Sequence, residues 1–177
     1  MGDRWRSKNL QSSSYVWLPL AVGGDGAVRM KNRDAWAPNV GAGGAWAEAP
    51  ATASYEGEDA AYAGGAREVA CAGCSGGKAA GYIGGTDNGR VTFSGIKAGG
   101  DGLTTVLIRY SNGESKPRYA NVVVNGAEPV RLAFEPNGEV STLAAYLRAG
   151  SDNKIEIGIA SGGGWGPDID RLLIPAQ

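Results

Sequence analysis

From residue 78 onward the chain is a succession of short runs in which apolar and polar residues alternate. Ile155, Ile157 and Ile159 stand against Glu156 and Gly158, and Val106, Ile108 and Tyr110 repeat the pattern. A period of two is the mark of a strand with one face buried, because successive side chains leave a pleated backbone on opposite sides. Runs of strand length fall at 78–83, 90–93, 103–110, 119–124, 129–134, 142–147, 154–159 and 169–174, and no stretch sustains a helical period. Between two of these runs, Asn125-Gly126 marks a tight hairpin, since both residues accept positive φ at little cost. Strands at this spacing, separated by polar turns, predict an all-β fold: a β-sandwich of jelly-roll type.

Upstream the pattern changes. Residues 42–54 are dominated by Ala, Gly and Pro and read as a linker, which separates an N-terminal appendage at 1–41 from a module at 55–177. Within the appendage, apolar runs flank a turn at Gly23-Gly24-Asp25-Gly26, which predicts short paired strands. Trp5, Trp17 and Trp36 lie in the same segment, more aromatic area than a free tail exposes, so the segment requires a surface to pack on. Packing is the expected use of Trp5 and Trp17, both in strand-like sequence.

Composition narrows the function classes. The 177 residues carry a formal charge of −1 and no histidine, which leaves no basic field for nucleic acid and removes the usual neutral-pH proton carrier. No apolar run approaches the roughly 18 residues of a membrane-spanning helix. The opening Met1-Gly2-Asp3-Arg4-Trp5-Arg6 has no hydrophobic signal region, so a secreted form would have lost its signal or carried it further upstream. Two cysteines, Cys71 and Cys74, cannot build a four-cysteine zinc site, and the missing histidines exclude the mixed kind. The glycines around them suit a loop rather than the helix start of a thioredoxin-like pair, which leaves a short disulfide and an oxidising setting.

Tyr55-Glu56-Gly57-Glu58-Asp59-Ala60 sets two carboxylates two residues apart where the linker gives way to patterned sequence. On one extended strand Glu56 and Glu58 point the same way, which is repulsive unless a cation lies between them; calcium, with its demand for six to eight oxygens, needs a third acid, and Asp170 in the final strand supplies it. The bland reading is two solvated glutamates on an edge strand. A second constellation lies in the turn Ser161-Gly162-Gly163-Gly164-Trp165-Gly166-Pro167-Asp168, which combines an aromatic plate with a polar group, the pair of features a pyranose requires for its apolar face and its rim of hydroxyls. Trp165 amid glycines is expected to be exposed, although it could fold back as a lid on the core. Tyr82 could face inward by alternation, and Arg118 could be a plain surface charge.

Tyr55-Glu56-Gly57-Glu58-Asp59-Ala60, Cys71-Ala72-Gly73-Cys74-Ser75-Gly76-Gly77-Lys78, Gly81-Tyr82-Ile83-Gly84, Val123-Val124-Asn125-Gly126 and Pro167-Asp168-Ile169-Asp170-Arg171 occur in this order. Together they resemble carbohydrate-binding module family 35, with family 6 as its near relative, over residues 55–174. The resemblance implies a jelly roll with a structural calcium on Glu56, Glu58 and Asp170, and sugar bound at one edge by Tyr82, Asn112, Arg118, Trp165 and Asp168. The Gly2-Asp3-Arg4-Trp5 and Tyr15-Val16-Trp17-Leu18-Pro19-Leu20 elements resemble the closing end of the propeller domain of glycoside hydrolase family 43, in its galactanase-like branch. The alternative for that segment is an aromatic clasp on the following module. The implied function is non-catalytic carbohydrate binding by a secreted, extracellular, monomeric protein that serves an upstream glycoside hydrolase domain, with β-galactan, arabinogalactan or uronic-acid-containing sugars as ligand class. The rivals are a galactan-hydrolysing glycosidase and a calcium-stabilised adhesion domain without sugar. Glu56 and Glu58 make a poor catalytic pair, because one strand would place both on the same side of a substrate.

Overall fold

The computed structural model describes residues 2–4, 14–30, 32–33, 36–38, 46–49, 51–159 and 163–176. Two compact units divide at residue 50: Met1–Pro50 and Ala51–Gln177.

Among its described residues the first unit contains three small pairs of strands. β1 (Gly2–Arg4) pairs with β2 (Ser14–Val16), β3 (Leu20–Val22) with β4 (Val28–Met30), and β5 (Trp36–Pro38) with β6 (Trp46–Glu48), all antiparallel. The expected turn at 23–26 closes β3 onto β4, with the Gly23 amide donating to the Ala27 carbonyl at 2.9 Å. Trp17 departs from expectation: it lies in the connection after β2, and its side chain is 60% exposed. Among the described residues its backbone carbonyl accepts from Trp36 Nε1 at 2.8 Å. Trp5 lies outside the described residues. The expected linker at 42–54 contains paired backbone, since Trp46–Glu48 is β6 and the module's first strand already starts at Thr52. Alanine and glycine leave strand backbone free to pair where hydrogen-bonding neighbours exist, so a low-complexity composition did not prevent it.

The second unit is a sandwich of two antiparallel sheets. Its strands are β7 (Thr52–Glu56), β8 (Ala61–Ala63), β9 (Arg67–Ala70), β10 (Lys78–Gly81), β11 (Arg90–Ala98), β12 (Gly102–Ser111), β13 (Arg118–Val124), β14 (Val130–Phe134), β15 (Val140–Leu147), β16 (Gly150–Gly158) and β17 (Asp168–Pro175). One sheet runs β15-β12-β17-β10-β9, with β7 also paired to β17; the other runs β14-β13-β16-β11-β8. Each expected run is a strand, and the alternation has the predicted meaning. Val106, Ile108, Ile155, Ile157, Ile169 and Leu172 are fully buried between the sheets. Full burial of each such side chain contributes about 1.5–3 kcal/mol. Tyr110 and Phe134 meet edge to face in the same core at 4.9 Å. Asn125 and Gly126 have φ of 52° and 75° and turn β13 towards β14, as their identities predict.

β17 organises the functional ends. Its N-terminal residues lie beside β10 through Ala80 and Ile169, and its later residues pair with β7 from Arg171 opposite Glu56 to Pro175 opposite Thr52. The last strand thus brings the first strand and the loops after β9 and β10 to one backbone.

Candidate functional site

The acidic corner forms where β7 ends. Glu56 is the last residue of its strand, and Gly57 just beyond it still donates to β17, to the Asp170 carbonyl at 2.6 Å. The chain then turns, so Glu58 sits in a turn rather than one pleat along the same strand face. The expectation that strand alternation aligns the two glutamates is therefore corrected. A different contact positions Glu58: a Cβ at Gly76, whose φ is +62°, would come within 2.7 Å of Glu58 Oε1, so the carboxylate lies against glycine backbone. Asp170, 7% exposed, accepts the Ser75 amide on Oδ1 at 2.9 Å. Arg171 reaches Glu56 Oε1 at 3.7 Å and Asp170 Oδ2 at 3.8 Å, and donates to Ser75 Oγ at 3.0 Å.

The loop that brings Ser75 and Gly76 here is closed by a Cys71–Cys74 disulfide, with the Cys71 amide donating to the Gly77 carbonyl at 2.8 Å. Glu56 Oε2 and Glu58 Oε2 are buried and have no hydrogen-bond partner among the described residues. A buried, unpartnered carboxylate oxygen is costly, and a hard cation that takes oxygen ligands would relieve both. Those two oxygens, with Asp170, fit the donor chemistry of calcium, although no group of three or more acidic, histidine or cysteine side chains converges in metal-binding geometry among the described residues. The negative field is felt nearby: burial first, then the charges of Glu68, Glu58 and Asp59, push the Tyr62 phenol up.

The second constellation lies beyond the N-terminal end of β17, in the loops after β10 and before β17. Tyr82 follows the last residue of β10 with φ 57°, and this left-handed step turns its ring outward, to 43% exposure, instead of into the core. Trp165 is 50% exposed and is held by a bridge to Gly84, while Gly166 donates to the Ile83 carbonyl at 2.8 Å. Its indole lies on Gly85, where any Cβ would collide with the ring. Tyr82 and Trp165 meet edge to face at 5.9 Å, and the Arg67 guanidinium stacks on Tyr82 at 3.4 Å. Trp165 is not a lid on the core. Beside it is a cleft of about 490 Å³ bordered by Tyr82, Trp165, Arg118, Glu114 and Asp168.

Arg118 is positioned rather than free: it donates to the Gly166 carbonyl at 2.8 Å and to Glu114 Oε1 at 2.9 Å. Asp168 is a second carboxylate of the cleft, beside Glu114. Burial pushes its pKa up, and Arg118 pulls in the opposite direction with less effect. Asn112 differs from its expected role. It is 4% exposed, its Nδ2 donates to the Lys116 and Phe134 carbonyls at 3.0 and 2.8 Å, and its Oδ1 accepts the Glu114 amide. With its polar atoms engaged by the backbone, Asn112 shapes the 112–118 loop that carries Glu114 and Arg118. Ser161 and Gly162 of the predicted turn lie outside the described residues.

Two features were missed by reading strands one at a time. Arg67 stacks on Tyr82 from fifteen residues away, a contact no local pattern reports. Tyr119, which the sequence reading did not single out, is exposed at 37%, with the Arg131 guanidinium 4.2 Å from its ring centre. The available signal was its place outward of the buried Ala120 and Val122.

Comparison with known proteins gives these sites a context. A family model described as CBM13-like, alpha-galactosidase CBM13 domain, matches residues 90–173. No curated protein matches the chain. Among solved structures, the exo-β-1,3-galactanase of Phanerochaete chrysosporium with β-1,3-galactotriose matches at 31% identity and a TM-score of 0.76, covering 97% of this chain and 40% of the other. The chain therefore spans about 40% of the length of that galactanase. A family 35 carbohydrate-binding module from Clostridium thermocellum matches at 27% identity and a TM-score of 0.65, over 70% of this chain and 98% of that module. The family 35 module from Paenibacillus barcinonensis shares the fold at 22% identity and a TM-score of 0.61, over 71% of this chain and 99% of that one.

Proposed function

Taking residues Ala51–Gln177 as a family-35-like carbohydrate-binding module, we propose that it binds sugar non-catalytically at the Trp165 edge and holds an associated glycoside hydrolase on its polysaccharide. The observation that carries this reading is the exposed Tyr82 and Trp165 pair above a cleft furnished with Arg118 and Asp168. Aromatic rings take the C–H face of a pyranose, and the guanidinium and carboxylate read its hydroxyls. Tethering raises the effective concentration of enzyme at the polymer without any catalytic group in the module. The match to a free-standing Clostridium thermocellum module over 98% of its length supports a non-catalytic part.

The proposed ligand class is β-galactan or arabinogalactan, because the galactanase with bound β-1,3-galactotriose matches across both units of this chain. Uronic-acid-containing sugars remain the second class, supported by Arg67 and Arg118 around Tyr82 and Trp165. The proposed partner, a glycoside hydrolase domain, suits the first unit, in which Leu20, Val22, Val28 and Met30 all project from one exposed face of the β3–β4 hairpin. Calcium is proposed at Glu56, Glu58 and Asp170, where it would neutralise the buried acids and tie β7 to β17. The disulfide supports a secreted, extracellular protein.

Binding to a sugar array, with and without chelator, tests the reading. Galactan-type sugars should bind, and chelation should lower the melting temperature, because a metal that binds only the folded state stabilises it by linkage. An array without binding to any sugar would refute the function, and equal melting of chelated and calcium-loaded protein would refute the metal. Release of reducing sugar from galactan by the pure protein would favour the hydrolase reading instead.

A further inference from the structure

Trp165 has two sides, and only one faces the cleft described above. On the other lies a larger depression of about 650 Å³, walled by Trp165, Arg118, Tyr119, Asn121 and Arg131 and open along Gly163 and Gly164. Its volume lies within the roughly 300–1,000 Å³ typical of small-molecule sites. The two depressions share Trp165 and Arg118 as a common partition.

The arrangement on the two sides is parallel. On one, Tyr82 carries a guanidinium from Arg67; on the other, Tyr119 carries one from Arg131. Tyr119 and Asn121 are two residues apart on β13, with Ala120 and Val122 buried beneath, so both project from the sheet's outer surface. Asn121 is paired directly with Arg131 on β14, which sets amide and guanidinium side by side next to the tyrosine ring. Neither side chain makes a hydrogen bond to another described residue, so their donors and the Asn121 carbonyl are available. An exposed ring beside an available amide and guanidinium meets the same requirement for a pyranose that the first cleft meets: one apolar plate and polar groups around its rim.

We propose that this second depression is a subsite for the neighbouring sugar unit of a bound oligosaccharide, with Tyr119 as its platform and Asn121 and Arg131 as its hydroxyl-reading groups. The inference rests on the function proposed above and makes it more specific: the module grips at least two consecutive units across Trp165, instead of a single terminal sugar. Such a site discriminates by chain length, because a monosaccharide fills one side only. Arg118, anchored to the Gly166 carbonyl and Glu114, holds the partition in register for both.

Titration calorimetry with galactose and β-1,3-galactotriose, on the wild type and on Tyr119→Ala and Asn121→Ala, tests this. The wild type should bind the trisaccharide at least tenfold more tightly than galactose. Each variant should retain the galactose affinity and lose most of that gain, a drop of fivefold or more for the trisaccharide. Unchanged trisaccharide affinity in both variants, with wild-type melting temperatures, would overturn the subsite, as would equal losses for both ligands. If Tyr119→Ala does not fold, Asn121→Ala alone decides, since it removes an amide from an outer strand surface. A wild type that binds neither galactose nor galactotriose would instead refute the galactan reading on which the subsite rests.

Discussion

The acidic corner and the Trp165 edge both carry acids and arginines but use them in opposite ways. At the corner of Glu56, Glu58 and Asp170 the carboxylates are drawn inward, Asp170 is nearly sealed, and two carboxylate oxygens lack any described partner. At the Trp165 edge the aromatic rings stand in solvent, and the polar side chains are held by backbone carbonyls or by one another. Burial without partners is what a strongly held structural ion requires, whereas exposed plates on a pre-formed cleft suit a ligand that arrives and leaves. The same residue types thus acquire different functions from their solvent access, not from their identity. Loops supply both places, but the corner's loop is closed by a disulfide and the edge's loops by backbone hydrogen bonds through Gly84, Gly85 and Gly166.

If the corner is structural and the edge is for recognition, stability and affinity should separate. Asp170→Ala has the largest expected effect: it leaves the Ser75 amide without its acceptor and Arg171 without one of its acids, at about 3–5 kcal/mol of stability. Denaturant unfolding measures it, and sugar affinity in the folded fraction should hold; a matching collapse of affinity would break the separation. Trp165→Ala reverses the pattern, with about 1–3 kcal/mol lost in affinity, on the scale of aromatic stacking against a planar ligand, and little change in melting. Unchanged calorimetric affinity in a folded variant would move the sugar elsewhere. Replacing both Cys71 and Cys74 by serine should cost at most about 2 kcal/mol, because a four-residue loop removes little chain entropy. The comparison is sharpened if that loss appears in melting and not in sugar titration.

The smallest effect is a pH dependence at Asp168. Burial raises its pKa above the ordinary 3.8 in the folded state, so between that value and the raised one the folded protein holds the proton more tightly than the unfolded chain does. This contribution to stability is complete below pH 3.8 and is lost as pH rises through the raised value. Melting temperatures of wild type and Asp168→Asn across pH 3 to 7 should diverge in that sense, the wild type falling relative to the variant. Parallel curves would place Asp168 in solvent and outside the cleft.

Strand positions were legible because alternation reports burial directly: Ile155, Ile157, Val106 and Ile108 face inward as their spacing says. Tyr82, Arg118, Trp165 and Asp168 were also legible as residue types suited to sugar, and the structure brings all four around one cleft. Less legible were features set by distant backbone. Glu58 was read as a strand residue, but the chain turns after Gly57, and the position of Glu58 depends on Gly76 across the disulfide loop. Asn112 was chosen for its amide, yet an amide next to a loop of backbone donors and acceptors is as readily recruited by the loop. Tyr119 and Arg67 were overlooked because their roles depend on Arg131 and Tyr82, partners that a strand-by-strand reading does not place beside them.

The pairing of β7 with β17 has a mechanical side. The module's first residue meets its last described one, the Ala176 amide donating to the Ala51 carbonyl at 2.6 Å, and Asp168 at the other end of β17 borders the Trp165 cleft. Eight residue steps of about 3.3 Å put these ends roughly 26 Å apart along the strand. A pull between a polysaccharide gripped at Trp165 and a tether leaving through Ala51 would therefore run along β7, not across it. Its five register pairs with β17 would be sheared together, not unzipped in turn, and the acidic corner stands at the inner end of the strand that bears the load.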